Sequence, residues 1–130
     1  MILDSSALMA IVNAEPGSDR LLRHAASSGC QMSVATWLEV SIVADARSTA
    51  HGVRLDEILA ALEVELVPVS VRQGEVARVA YRRYGRGSDS KARLNFGDCF
   101  AYALSVTTGE PLLFTGDDFT HTDVAPALHN

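Results

Sequence analysis

Four short apolar runs punctuate the chain, and each of the first three gives way to residues with helical spacing. They are Met1-Ile2-Leu3, Cys30 to Val34, Leu66 to Val69 and Leu112 to Phe114. Strand-length runs that alternate with helical segments predict an α/β domain around a mainly parallel sheet, because parallel neighbours need a helical crossover between them. The helical stretches run from Ala7 to Ala14, Asp19 to Ser28, Thr36 to Ser48, Leu55 to Leu62, Val71 to Tyr84 and Asn95 to Thr108. Gly52 reads as the end of the third of these, and Gly109 as the C-cap of the last. Pro68 suits a strand at an edge or near its end. Gly85 to Arg93 reads as a basic, polar loop, and Val124-Ala125 as a last short strand. A length of 130 residues fits one domain, residues 1–130, with a core that needs no staples.

Several classes fall away on composition. No run approaches the roughly 18 apolar residues of a membrane helix, and Met1-Ile2-Leu3-Asp4 lacks the basic start of a secretory leader, so a cytoplasmic protein is expected. Cys30 and Cys99 make no metal or redox spacing and are expected to be reduced and buried. His24, His51, His121 and His129 form no ligand pair, which gives zinc little support. A net charge of −5 argues at first against nucleic acid.

The acids carry the chemistry. Asp4 follows the first run, and Asp117 and Asp118 follow the last. Glu39 and Asp98 stand in early turns of helices. In a parallel sheet the strand ends share one edge, where ligands bind. Carboxylates gathered there repel one another unless a cation intervenes, and oxygen donors suit Mg²⁺ or Mn²⁺. Such an ion can lower the pKa of water and stabilise the leaving oxygen of a phosphodiester. Each acid also has a purely structural reading. Thr36 to Glu39 and Asn95 to Asp98 have capping-box spacing, Asp4 can cap the helix that follows, and Asp117-Asp118 can form a turn.

Four segments together carry a family resemblance. Asp4-Ser5-Ser6-Ala7-Leu8, Trp37-Leu38-Glu39-Val40, Leu94 to Leu104 around Asn95-Phe96-Gly97-Asp98, and Leu112 to Phe119 resemble, in order and spacing, the motifs of PIN-domain ribonucleases. Across nearly the whole chain the pattern is similar to the VapC-type toxins of bacterial toxin–antitoxin pairs. The resemblance implies a three-layer α/β/α fold and a Mg²⁺- or Mn²⁺-dependent endoribonuclease. It also implies a cognate antitoxin and a homodimer. It makes Asp4 and Asp98 the principal metal ligands, with Glu39 completing the cluster. An extra residue between the acid and Phe119 leaves Asp117 and Asp118 both open as the fourth acid, and Ser6 is expected to orient Asp4.

Charge is sorted along the chain. Residues 72–93 hold seven basic and two acidic residues, net +5, while the remainder holds four basic and fourteen acidic, net −10. Arg86, Lys91 and Arg93 are candidates for holding RNA phosphates because their loop leads into Asp98; Arg72 and Arg78 read as a solvated helix face. Trp37, Tyr81 and Tyr84 can each stack on a base or pack in a core. Leu8, Ile11, Val12, Leu21 and Leu22 suit a core or a groove equally, and the family resemblance implies that a groove between the early helices would receive an antitoxin helix. Two rival readings remain: a catalytically idle PIN-like protein-binding module, and a phosphoacceptor receiver domain. A receiver needs paired acids after the first strand and a lysine after a late one; Asp4 stands alone and Thr115-Gly116 follows Phe114.

Overall fold

A computed structural model describes residues 1–129; Asn130, the last residue of the expected domain, lies outside the described residues. The elements run β1 (Ile2–Leu3), α1 (Ser5–Val12), α2 (Ser18–Ala26), β2 (Gln31–Ser33), α3 (Val34–Arg47), α4 (Thr49–Ala61), β3 (Glu65–Val67), α5 (Val71–Tyr84), α6 (Asp98–Thr108) and β4 (Leu112–Leu113). The four strands form an all-parallel sheet in the order β3-β2-β1-β4. Ile2 lies opposite Gln31 on one side and Leu112 on the other, so β1 is central.

That order sets the layers. From β1 the chain steps outward through β2 to β3, then returns across the sheet to place β4 on β1's free side. Right-handed crossovers put helices on one face for steps in one direction and on the other face for the return. Accordingly, α1 to α4 pack with Leu3, Met32 and Leu113 on one face, whereas α5 and α6 pack with Ile2 and Leu112 on the other. Neighbouring residues of a two-residue strand thus feed two separate core layers, as strand alternation requires. The arrangement is the expected three-layer α/β/α fold. It also removes the receiver reading, because the flavodoxin-like order 2-1-3-4-5 seats the third strand beside the first, whereas here β3 stands at the far edge.

Local detail refines the sequence expectations. Pro68 directly follows the edge strand β3, α5 spans Val71–Tyr84 as expected, and Gly109 closes α6 with a left-handed φ of 73°. Val124-Ala125 does not form a full strand; the tail makes one isolated parallel bridge, Leu112 to Pro126. Gly52 does not end a helix. The break falls at Ser48, whose hydroxyl accepts from the His51 N–H at 3.0 Å and so starts α4, and Gly52 lies buried inside α4. A Cβ there would collide with the Asp45 carboxylate of α3, so the glycine serves close helix approach.

The apolar residues of the early helices mostly pack inward. Leu8, Ile11, Val12 and Leu21 are core residues, and only Leu22 of that set stays exposed. Cys30 and Cys99 are buried free thiols, as expected. No helix among the described residues is long and apolar enough to cross a membrane.

With strands this short, each central side chain supports a large share of the core. Leu3, 1% exposed on the central strand, is therefore expected to cost about 2–5 kcal/mol when replaced by Ala. Urea unfolding of Leu3→Ala, with the midpoint shifted and the slope retained, checks this.

Candidate active site

Asp4 emerges from the end of β1, where its N–H donates to the Leu113 carbonyl at 3.0 Å. It is the N-cap of α1: its Oδ2 accepts from the Ser6 N–H at 3.0 Å. The capping reading of Asp4 therefore holds, and the cap fixes the carboxylate at the carboxyl edge of the central strand. Asp98 opens α6 in a reciprocal pair with Asn95. The Asn95 N–H donates to Asp98 Oδ2 at 2.9 Å, and the Asp98 N–H donates to Asn95 Oδ1 at 2.8 Å. The expected capping box at Asn95 is thus present and locks the Asp98 rotamer.

The second expected capping box is absent. Ser33, not Thr36, caps α3, accepting from the Ala35 N–H at 3.3 Å. The helix starts earlier than its spacing predicts, so Glu39 falls beyond the first turn and is free for another role. Its Oε1 accepts from the Ser5 hydroxyl at 3.3 Å, and its carboxylate lies against Gly97, where a Cβ would overlap it. Three elements (the starts of α1 and α6, and α3) therefore converge on Glu39. Ser5 and Gly97 escaped the sequence reading, because both sit inside motifs whose acids drew the attention. The glycine before Asp98 was the available signal.

Ser6 plays two parts. Its hydroxyl accepts from the Thr115 N–H at 3.1 Å, which ties the loop after β4 to the start of α1. Its hydroxyl and N–H also oppose the rise that burial imposes on the Asp4 carboxyl. In that loop Asp117 and Asp118 are both exposed. Only the Asp118 charge acts on Asp98, whereas Asp117 lines a separate cavity of about 500 Å³ between α1, α2 and the C-terminal tail.

Electrostatics link the acids. Burial raises the Asp4 carboxyl above its ordinary value, opposed by the Ser6 hydrogen bonds and reinforced by the Glu39 charge. Burial likewise raises Glu39, opposed by Ser5 and reinforced by Asp98. Burial pushes Asp98 up to about 6, with the Asp4 and Asp118 charges adding to it and Arg86 opposing. The ion pairs among the described residues, Met1 amine to Glu110 and Arg83 to Asp123, involve none of these acids. Desolvated carboxylates that face one another without a cation are an incomplete arrangement.

Among the described residues no three His, Cys, Asp or Glu side chains form a metal cage. The donor set nevertheless fits Mg²⁺, which binds through one or two carboxylates and keeps several waters, and not a softer ion that wants a closed protein shell. Asp4, 3% exposed, and Asp98, 8% exposed, are the two carboxylates that could hold such an ion.

Arg86, Lys91 and Arg93 are exposed on the loop between α5 and α6. The loop is closed by the Arg86 N–H on the Leu94 carbonyl at 3.1 Å and the Leu94 N–H on the Tyr84 carbonyl at 2.8 Å. Of the three, Arg86 is the one whose charge acts on Asp98. Trp37 packs from α3 against the core, Tyr84 is buried, and Tyr81 is exposed.

The raised Asp98 value carries a sign. Above the ordinary carboxyl value of 3.8, the unfolded chain releases a proton that the native chain holds up to about 6. Stability of the metal-free protein therefore falls as pH rises through that window. Asp98→Asn, in chelator, is expected to unfold at a higher temperature than the parent above about pH 7, with the gap narrowing toward about pH 4. A pH series of thermal melts checks this; a gap independent of pH contradicts it.

Comparison with known proteins gives a consistent result. The PIN domain family model matches residues 1–125. Ribonuclease VapC of Mycolicibacterium smegmatis is 47% identical over 131 residues, covering 99% of this chain and 100% of the relative. Ribonuclease VapC42 of Mycobacterium tuberculosis is 45% identical over 130 residues, covering 98% of each. Among solved structures, the Mycobacterium tuberculosis VapC20 toxin, described as cleaving the sarcin–ricin loop, superposes with a TM-score of 0.72 at 20% identity. It covers 96% of this chain and 98% of that one. A toxin–antitoxin complex from Klebsiella pneumoniae gives 0.70 at 15% identity, covering 99% and 98%.

Proposed function

Since the chain belongs to the PIN-domain family, among its VapC ribonucleases, we propose that it is a Mg²⁺-dependent endoribonuclease. In this reading it acts as the toxin of a toxin–antitoxin pair, restrained by a cognate antitoxin and working as a homodimer. The observation that carries the catalytic part is the gathering of Asp4, Glu39 and Asp98, desolvated and mutually repelling, at the carboxyl edge of the sheet without a cationic partner. Mn²⁺ has the same oxygen preference and would substitute.

A bound Mg²⁺ would supply the positive charge that offsets the acids and the developing charge on the cleaved phosphodiester. The chain's own residues do the rest. Asp4 and Asp98 are held in single rotamers by caps, so little reorganisation is needed when substrate arrives. Glu39, half-buried and with a carboxyl raised by burial, is suited to take a proton from an attacking water. Asp118 contributes to the negative field at Asp98, and Asp117 is set aside from the site. Arg86, with Lys91 and Arg93 on the same loop, offers positive charge for the RNA backbone. The acidic site and the basic loop lie side by side, which is how a chain of net charge −5 can take a polyanion.

Asp4→Asn and Asp98→Asn keep the shape and the caps but remove charge. Each is expected to lower RNA cleavage on the order of 100-fold or more and to relieve toxicity on expression, with the circular dichroism spectrum unchanged. Cleavage by purified Asp98→Asn protein at the parent rate would overturn the role of Asp98 in the mechanism, whereas absence of cleavage by the parent in Mg²⁺ or Mn²⁺ would favour an idle binding module. Gly97→Ala is expected to displace the Glu39 carboxylate and cut activity about 10–100-fold. In a Glu39→Asp background, where the shorter side chain leaves room, the same substitution should cost much less. Equal losses in both backgrounds would show that Gly97 acts elsewhere.

A further inference from the structure

Phe96, two residues before Asp98, is 78% exposed, the most exposed of the aromatic side chains. Its ring is not loose. Phe100, one helical turn on, meets it edge-to-face with centroids 5.0 Å apart and planes at 86°. Beside the pair lies a groove of about 230 Å³ between α5 and α6, based on the buried Ala77 and Cys99 and edged by Tyr81, Phe96, Phe100 and Arg78. A cavity of roughly 150 Å³ admits a benzene ring, so this one has room for a single heterocyclic base.

Charge selects the occupant. No acid lines the groove, Arg78 stands at its edge, and the segment that forms one wall is the part of the chain carrying net +5. Phe96 also joins the basic loop to the acidic site: Arg93 precedes it by three residues, and Gly97, against which Glu39 lies, follows it directly. An exposed aromatic face between phosphate-binding and phosphate-cutting groups is the arrangement that stacks an unpaired base.

We propose that the groove between α5 and α6 holds one base of single-stranded RNA, stacked on Phe96, next to the phosphodiester presented to Asp4 and Asp98. The assignment rests on the ribonuclease reading above and deepens it by naming a nucleotide subsite. Arg78, which the sequence presents as a solvated helix face, becomes the group that steadies the sugar–phosphate beside that base. Stacking of this kind tolerates any base, so the subsite contributes affinity and register more than sequence choice.

The test is steady-state cleavage, in Mg²⁺, of fluorophore–quencher single-stranded RNA oligomers of randomised sequence by the full chain. Phe96→Ala is expected to raise KM about tenfold, within the range for loss of one base–aromatic stack, with kcat little changed. Phe96→Tyr and Phe96→Trp should restore the parent KM, whereas Phe96→Leu, apolar but without a π face, should not. An unchanged KM in Phe96→Ala, or full rescue by Phe96→Leu, overturns the stacking subsite while leaving the ribonuclease reading intact. So does conversion of a dimer to a monomer by Phe96→Ala with KM unaffected, which would assign the face to a second copy of this chain. Failure of the parent protein to cut any of the RNA in Mg²⁺ or Mn²⁺ overturns the ribonuclease reading itself, and the subsite with it.

Discussion

A parallel sheet delivers the carboxyl ends of all its strands to one edge, and in this chain acids follow the central strand β1 and the edge strand β4 paired with it. Asp4 leaves β1 and Asp118 follows β4, while β2, the other inner strand, runs straight into the helix that carries Glu39. The return of the chain across the sheet, from β3 to β4, makes the gap between β1 and β4 the point where connections diverge, and a crevice forms there. The helix that makes the return, α6, brings Asp98 to the same edge. Sheet topology thus concentrates negative charge where the fold is least able to solvate it. Everything distinctive about the site follows from that conflict.

The surrounding residues hold the conflict in place without relieving it. Caps at Asp4 and Asp98 spend each carboxylate's hydrogen bonds on the backbone of its own helix start. Ser5 steadies Glu39, and Ser6 ties the β4 loop to α1. None of these contacts brings a compensating positive charge; Arg86 opposes the Asp98 shift only as its last and smallest influence. A site built this way is expected to gain stability from acid, and would gain it from a bound cation. Structural and functional roles of the acids are therefore not alternatives. The cap that starts a helix is also what aims the carboxylate.

Much of this was legible in the sequence, because the relevant signals are local. Strand-length runs, helical spacing and the acids at run ends gave the α/β architecture and brought Asp4, Glu39 and Asp98 forward, and the resemblance to PIN-domain ribonucleases supplied their grouping. Features set by approach between distant segments were not legible. Gly52 reads as a helix stop until Asp45 is seen across from it, and the part played by Gly97 shows only once Glu39 is seen against it. Thr36 has the spacing of a cap, but Ser33 reaches the free N–H first, so the helix begins three residues sooner. Leu8, Ile11, Val12 and Leu21 have a pattern that suits groove and core equally, and packing decided for core. The opening inference from net charge failed for a related reason: a sum carries no positions.

The central claim is that the acids at the sheet edge are built around a divalent cation. Anomalous scattering from a crystal of the protein soaked in Mn²⁺ tests it most directly. The account predicts a peak in contact with carboxylate oxygens of Asp4 and Asp98, with Glu39 beside it, and loss of that peak in Asp4→Asn. Well-ordered density for all three acids with no peak between them, or Mn²⁺ bound only at other carboxylates, would contradict it.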